Sequence, residues 1–199
     1  VSTPQSCSYI YMFNMDKEKG PKALQDVRVR KALSYAVDRD TIVDKILQGG
    51  QWPSYNWTHH STEGFQMPDI DYSHWTQDER YTKAKELLAE AGFGPDNPLK
   101  LTLNYNTSED HKKIAIAVQQ FWKGVGVDLT LNNMEWKVHT DKMQSQDFEV
   151  ARYAWCGDYN EASTFLDLFT SYSGHNNGKF FSERYDELMK SSKTADDPN

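Results

Sequence analysis

Cysteine is scarce. The 199 residues contain two, Cys7 and Cys156. That number excludes a disulfide-stapled mini-scaffold and a thiolate-rich metal cluster. It leaves two readings open: a pair of buried free thiols in a reducing compartment, or one bridge in an exported protein. A bridge closing so long a loop would stabilise by about 5 kcal/mol in the chain-entropy model. Long apolar runs are missing as well; none approaches the roughly 18 residues that a membrane-spanning helix needs. Positive charge is in deficit, with 22 Lys and Arg against 29 Asp and Glu and a net charge of −7. Nucleic acid is therefore not expected as a partner, because phosphate binding requires a basic surface.

Catalytic and cofactor signatures are also lacking. The sequence has no glycine-rich phosphate loop, no strained serine turn of the G-x-S-x-G kind and no zinc-ligand spacing. No cofactor or metal is expected. His59 and His60 are adjacent, so their side chains should point apart, and no acidic or Cys ligand recurs near them at regular spacing. Asn56-Trp57-Thr58 and Asn106-Thr107-Ser108 match the glycosylation sequon, a pattern short enough to recur by chance. No signal-peptide pattern begins at Val1. The abrupt opening VSTPQSC and the close TADDPN point to a piece of something longer.

What is present is a run of regular elements. SYIYMFN, residues 8–14, is rich in aromatic and branched residues and predicts a strand. Asp26 can cap a helix through VRVRKALSYAV, with Val29, Leu33, Ala36 and Val37 on one apolar face. Asp38 and Asp40 restart the chain in a second helix, with Ile42, Val43, Ile46 and Leu47 inward and Gly49-Gly50 as its stop. Residues 51–75 have no period and many aromatics, a long loop of the kind that carries function or wraps a surface. A helix over 78–92 follows, with Ala84, Leu87, Leu88 and Ala91 inward. Then strand 99–105, helix 109–123 capped by Thr107 or Ser108, strand 127–131, helix 135–144 and strand 148–155 alternate. That order predicts an α/β fold, a sheet with helices packed on its faces. Ligands in such sheets bind outside the carboxyl ends of strands.

VARYAWCGDYNEAS, residues 150–163, lies at such an end. Arg152 sits among mostly apolar neighbours, where a desolvated guanidinium needs an anion. The bland alternatives are a snorkelling surface arginine or an ion pair with Asp147 or Glu149. Asp158 follows Gly157 in a turn; it either fixes that turn through an Asx hydrogen bond or presents a carboxylate to an ammonium. His111 opens the helix after strand 99–105, where a helix N-terminus favours an anion; the alternative is a solvated first-turn histidine. Trp122 falls on an apolar helix face and reads as core, whereas Trp136 and Trp155 adjoin strand ends and could wall a pocket.

These residues carry a family resemblance. DVRVRKALSYAVDRDTIV resembles a segment of the extracytoplasmic peptide- and nickel-binding proteins of ABC importers. NTSEDHKK and WCGDYNEA are similar to the oligopeptide-binding branch and its murein-peptide-binding relatives. The resemblance implies a periplasmic-binding-protein type II-like lobe with a mixed sheet flanked by helices. It implies that residues 1–199 form a single partial domain, most of the carboxy-terminal lobe, whose amino-terminal lobe is missing. The implied function is non-enzymatic: periplasmic capture of short peptides for delivery to an ABC permease in the membrane. The alternatives are a murein peptide or another solute of the same family, or, in a different class, a peptide hydrolase using Asp158, His111 and Arg152. The resemblance further implies that Asp158 pairs with the peptide's α-ammonium, that Arg152 and His111 hold its carboxylate, and that Trp136 and Trp155 line side-chain pockets. Cys156 and Tyr159 complete the implied ligand-binding set, and Cys7 is implied to form a disulfide with Cys156. One departure is Met143, which stands where the family carries a second carboxylate-binding arginine, with Lys142 beside it.

Overall fold

The computed structural model describes residues 5–195. Residues 1–4 and 196–199, which belong to the abrupt ends noted above, lie outside them. In chain order, β1 (Cys7–Phe13) leads to α1 (Val27–Tyr35) and α2 (Arg39–Thr41), which widens into a π-type turn over Ile42–Leu47. α3 (Gln77–Glu90), β2 (Leu99–Asn106), α4 (Glu109–Lys123), β3 (Val127–Met134), α5 (Trp136–Gln144) and β4 (Val150–Cys156) follow. α6 (Ser163–Leu166) and α7 (Glu183–Ser192) close the described chain, in a region for which the sequence reading made no assignment.

The strands form one mixed sheet in the order β1-β4-β2-β3. β2 runs parallel to β3 and to β4, while β1 runs antiparallel to β4. The parallel pairs need crossovers, and α4 and α5 supply them. On one face, Leu99, Leu101 and Leu103 of β2 and Val127 of β3 meet Val29 and Leu33 of α1, Leu88 of α3 and Val118 of α4 in a closed core. Trp122 belongs to it, 1% exposed, with its indole N–H donating to the Leu33 carbonyl at 3.0 Å. On the other face, Met12, Met143, Phe148 and Ala151 form a smaller cluster.

Several boundaries differ from the expectation for identifiable reasons. Helix 109–123 was placed correctly, yet Ser108 makes no side-chain cap. Thr107 instead turns its hydroxyl to Met134 O and Asn133 Oδ1, tying β2's end to β3's. Glu109 and Asp110 supply negative charge to that helix N-terminus. The π-type turn that continues α2 is capped by Gln48, itself left-handed at φ 53°, and not by Gly49-Gly50. Its widened turn buries Val43 and leaves Ile46 half-buried, so the inward face is narrower than predicted. β4 starts two residues late because the carbonyls of Gln146 and Phe148 are taken by the Asn14 side-chain amide.

The aperiodic loop 51–75 is held by side chains. The guanidiniums of Arg39 and Arg80 stand 4.6 and 4.9 Å from the centre of the Tyr55 ring. Arg39 donates to Ser54 O, Arg80 to Tyr72 O and Ser73 O, and Trp57 donates its indole N–H to Phe165 O.

Cys7 and Cys156 face each other in register across β1 and β4 and are bridged, 149 residues apart. The two free thiols of the alternative reading are thus excluded. Replacing both by serine should lower the unfolding free energy by about 2–5 kcal/mol. Urea denaturation would read this as a lower midpoint with a steeper slope, because the unfolded chain without the bridge exposes more surface; an unmoved midpoint would mean that the strand ladder alone suffices.

Candidate functional site

The connection leaving β2 goes to β3 on one side, while β4 lies on β2's other side. The carboxyl ends of β2 and β4 therefore flank a point where strand order reverses, the place where open α/β sheets bind ligands. Asn106 and the first turn of α4 come from β2; Arg152, Trp155, Cys156 and the following turn come from β4.

Period-two alternation sorts these side chains. Arg152 faces its register partner Tyr11, and Tyr9, opposite Ala154, is on the same side. The Arg152 guanidinium lies 4.9 Å from the centre of the Tyr9 ring. The Tyr9 hydroxyl is 3.3 Å from His111 Nδ1, and Arg152 Nη1 donates to Asn106 Oδ1 over a long 3.4 Å. Arg152 and His111 are thus brought to one place, joined by Tyr9, which the sequence reading missed. Its signal was only its place two residues after Cys7, visible once the register of β1 on β4 is known.

The charge balance there is unequal. Asp147 pairs with Lys142, and Glu149 accepts the backbone N–H of Thr102 at 2.6 Å. Both acids offered as bland partners for Arg152 are engaged elsewhere. Among the described residues Arg152 forms no ion pair, and its Nε is buried without a partner. The Tyr11 hydroxyl is likewise buried and unpartnered. Burial pushes the Tyr9 hydroxyl up to about 12, against the opposing pull of Arg152. Burial, then the Arg152 charge, holds His111 down at about 4. At neutral pH the imidazole is therefore uncharged, an adjustable hydrogen-bonding group and not a second cation.

His139 was also missed. It is fully buried on α5, and its Nε2–H donates to the Arg152 carbonyl at 2.8 Å. Its spacing of four from Met143 marks one inward helical face, a signal available in the sequence.

Trp155 is three residues from Arg152, an odd number, so it lies on the opposite face of the sheet. Its ring is 4.9 Å from that of His175, and its indole N–H is buried without a partner. Trp136 is 54% exposed and lies beside His139. The two tryptophans make no ring contact with one another among the described residues.

The turn after β4 is braced by its backbone. Gly157 N–H donates to Ser6 O, and Asp158 N–H donates to Thr164 Oγ1 at 2.9 Å. A Cβ at Gly157 would come within 3.2 Å of Thr164 Cγ2, so the close approach favours glycine. The Asp158 carboxylate is exposed and makes no hydrogen bond among the described residues, which excludes the Asx-turn reading. Tyr159, 52% exposed, bonds the Ser163 hydroxyl. A concavity of about 320 Å³ opens beside the turn, lined by Ser6, Ser61, Thr62, Gly157, Tyr159 and Asn160. A larger one of about 610 Å³, around Lys19, Asn104, Asn132 and Lys142, includes none of the predicted site residues.

One smaller expectation needs correction. His59 and His60 do not point apart: their rings are 4.3 Å between centres, because the loop is not extended there. Met143 is 3% exposed and packed on Met12, Phe148 and Ala151, so it serves the core. Lys142 is engaged with Asp147. No cluster of metal-ligating side chains occurs among the described residues, nor any helix long and apolar enough to cross a membrane.

Residues 1–177 match the family of bacterial extracellular solute-binding proteins, family 5, middle region. The chain is 45% identical over 192 residues to the periplasmic murein peptide-binding protein MppA of Escherichia coli (strain K12), covering 96% of this chain and 35% of that protein. It is 44% identical over 196 residues to the periplasmic oligopeptide-binding protein OppA of Salmonella typhimurium, covering 98% and 35%. The chain thus spans about a third of the length of these relatives. The unliganded open form of MppA superposes with a TM-score of 0.92 at 42% identity, over 98% of this chain and 37% of that one. Haemophilus influenzae OppA in complex with RPPGFSPFR superposes with a TM-score of 0.89 at 38% identity, over 97% and 38%. The fold is that of a periplasmic-binding-protein type II-like lobe, and the chain belongs to the family 5 bacterial extracellular solute-binding proteins.

Proposed function

We propose that residues 1–199 are a single partial domain, most of the carboxy-terminal lobe of a two-lobed extracytoplasmic protein that captures short peptides for an ABC permease. The names of the relatives support the ligand class, since they are periplasmic murein-peptide and oligopeptide binders. The observation that carries the reading is the lack of a protein anion for Arg152, a half-buried guanidinium whose Nε is unpartnered, as is the hydroxyl of its neighbour Tyr11. A desolvated charge of this kind is costly until an anion arrives, and a peptide carboxylate is one. Arg152 and neutral His111 would take that carboxylate. Asp158, with its carboxylate free at the mouth of a braced turn, would take the ammonium. Trp155 and Trp136 would face side chains. No bond is made or broken; the chemistry is recognition.

Termini and backbone are common to all peptides, so a site built on them tolerates varied sequences. The ammonium pairing gives the direct test. In the complete protein, where closing the two lobes on a ligand would bury the pair, Asp158→Ala should weaken peptides with free amines by about 100-fold or more, given the roughly 3–5 kcal/mol cost of breaking such a pair. N-acetylated peptides should be weakened much less; an equal loss for both would remove Asp158 from its role. The lobe alone supplies part of the contact area and leaves the cleft open to water. Calorimetry should therefore find far weaker peptide binding by this chain than by the complete protein, and equal affinities would contradict the two-lobed reading. His111 also fixes a pH dependence. Its folded value lies near 4, below the ordinary 6.5 of an unfolded chain, so the unfolded state binds more protons between those values. Its contribution to stability should be present above about pH 6.5 and fall as pH drops toward 4. His111→Gln should flatten that part of the stability–pH curve in thermal melts; an unaltered slope would show that the imidazole titrates normally.

A further inference from the structure

From the register of β1 on β4 we infer that Tyr9 is the positioning residue of the anion end of the site: its ring holds the Arg152 guanidinium and its hydroxyl sets the tautomer of His111. The inference rests on the proposed recognition of a ligand carboxylate by Arg152 and His111 and adds the residue that arranges them.

Three observations converge on Tyr9. The guanidinium of Arg152 lies 4.9 Å from its ring centre, within cation–π range. This contact fixes a side chain whose other restraint is the long bond to Asn106. The Tyr9 and His111 rings lie 5.6 Å apart, and the Tyr9 hydroxyl reaches Nδ1. Finally, the hydroxyl has no other acceptor for its hydrogen among the described residues, since Arg152 beside it can only donate. A phenol that stays protonated must place its hydrogen somewhere. Nδ1 accepts it only when the ring proton is on Nε2. The consequence is directional. With Nδ1 occupied, Nε2–H is the free donor, available to a carboxylate that approaches Arg152. The opposite tautomer would leave the phenol hydrogen unpartnered and present a lone pair to an anion, which repels it. Tyr9 is 38% exposed, so it stands at the rim and not behind the site. It comes from the start of the chain, whereas the groups it arranges come from β4 and α4.

Nitrogen-15 NMR of the histidine side chains tests this on the 199-residue chain without any ligand. At pH 7 the wild type should show His111 Nδ1 as the unprotonated nitrogen and Nε2 as the protonated one. Tyr9→Phe keeps the ring over Arg152 and removes the hydroxyl, so it should shift His111 toward a mixture of tautomers at an unchanged melting temperature. A protonated Nδ1 in the wild type, or an unaltered tautomer in Tyr9→Phe, overturns the inference. In the complete protein, Tyr9→Phe should weaken peptides with a free carboxyl end by about 3- to 10-fold, the size of one hydrogen bond. Tyr9→Leu should weaken them about a further 3-fold, through loss of the cation–π contact. C-terminally amidated peptides should be nearly unaffected by either. Equal losses for acid and amide would overturn Tyr9 as a residue of the anion end. If the wild type itself binds acid and amide equally, the carboxylate reading fails and takes this inference with it; the ligand-free tautomer result tells the two failures apart.

Discussion

The pairing of β1 with β4 is the constraint on which the site depends. The two strands lie far apart in the chain and meet in register from Cys7 with Cys156 to Phe13 with Val150. Without β1, β4 would be an edge, and Arg152 would project into water with no need of a partner. With β1 in place, Tyr11 lies beside the guanidinium and Tyr9 stands over it. The disulfide closes the same ladder at the end nearest the turn. One interaction therefore desolvates the cation, supplies its aromatic neighbour and anchors the loop that presents Asp158.

The electrostatics follow from that burial. The protein surrounds Arg152 with hydroxyls, an amide oxygen and a neutral imidazole, and commits the nearby acids elsewhere. Charge complementarity is left incomplete at the end of the sheet where an external group can supply it. Burial first, and then repulsion by the Arg152 charge, holds His111 neutral. On the other side of the strand, His139 secures the Arg152 backbone through its carbonyl, so backbone and side chain are held from opposite faces.

Much of the scaffold was legible in the sequence. The helix over Glu109–Lys123 and the Asp26 cap follow from local spacing, as do the alternating strands of the βαβ run, because local rules govern them. The strand limits were less legible: Asn14 takes two carbonyls before β4, a contact from a residue far away in sequence. Loop 51–75 could be read as long but not as ordered, since its order comes from Arg39 and Arg80 closing on Tyr55. Of the candidate site, Arg152 and His111 could be singled out from their places at strand ends, and the structure brings them together around Tyr9. Tyr9 could not be, because a strand's register against a distant partner leaves no local mark. That Trp155 turns away from Arg152 was readable from their spacing alone.

The sheet is sewn unevenly. β2 and β3 pair along their whole lengths, and so do β1 and β4, yet β2 and β4 are in register only at Leu103 with Val150 and Asn104 with Ala151. One rung's place is taken by the Glu149 carboxylate gripping the Thr102 amide. The lobe is thus mechanically two stiff ribbons joined by a short seam. Load applied at the Asp158 bend passes along the cross-linked ribbon first, and it crosses to the other through a few hydrogen bonds and the packed side chains beneath them.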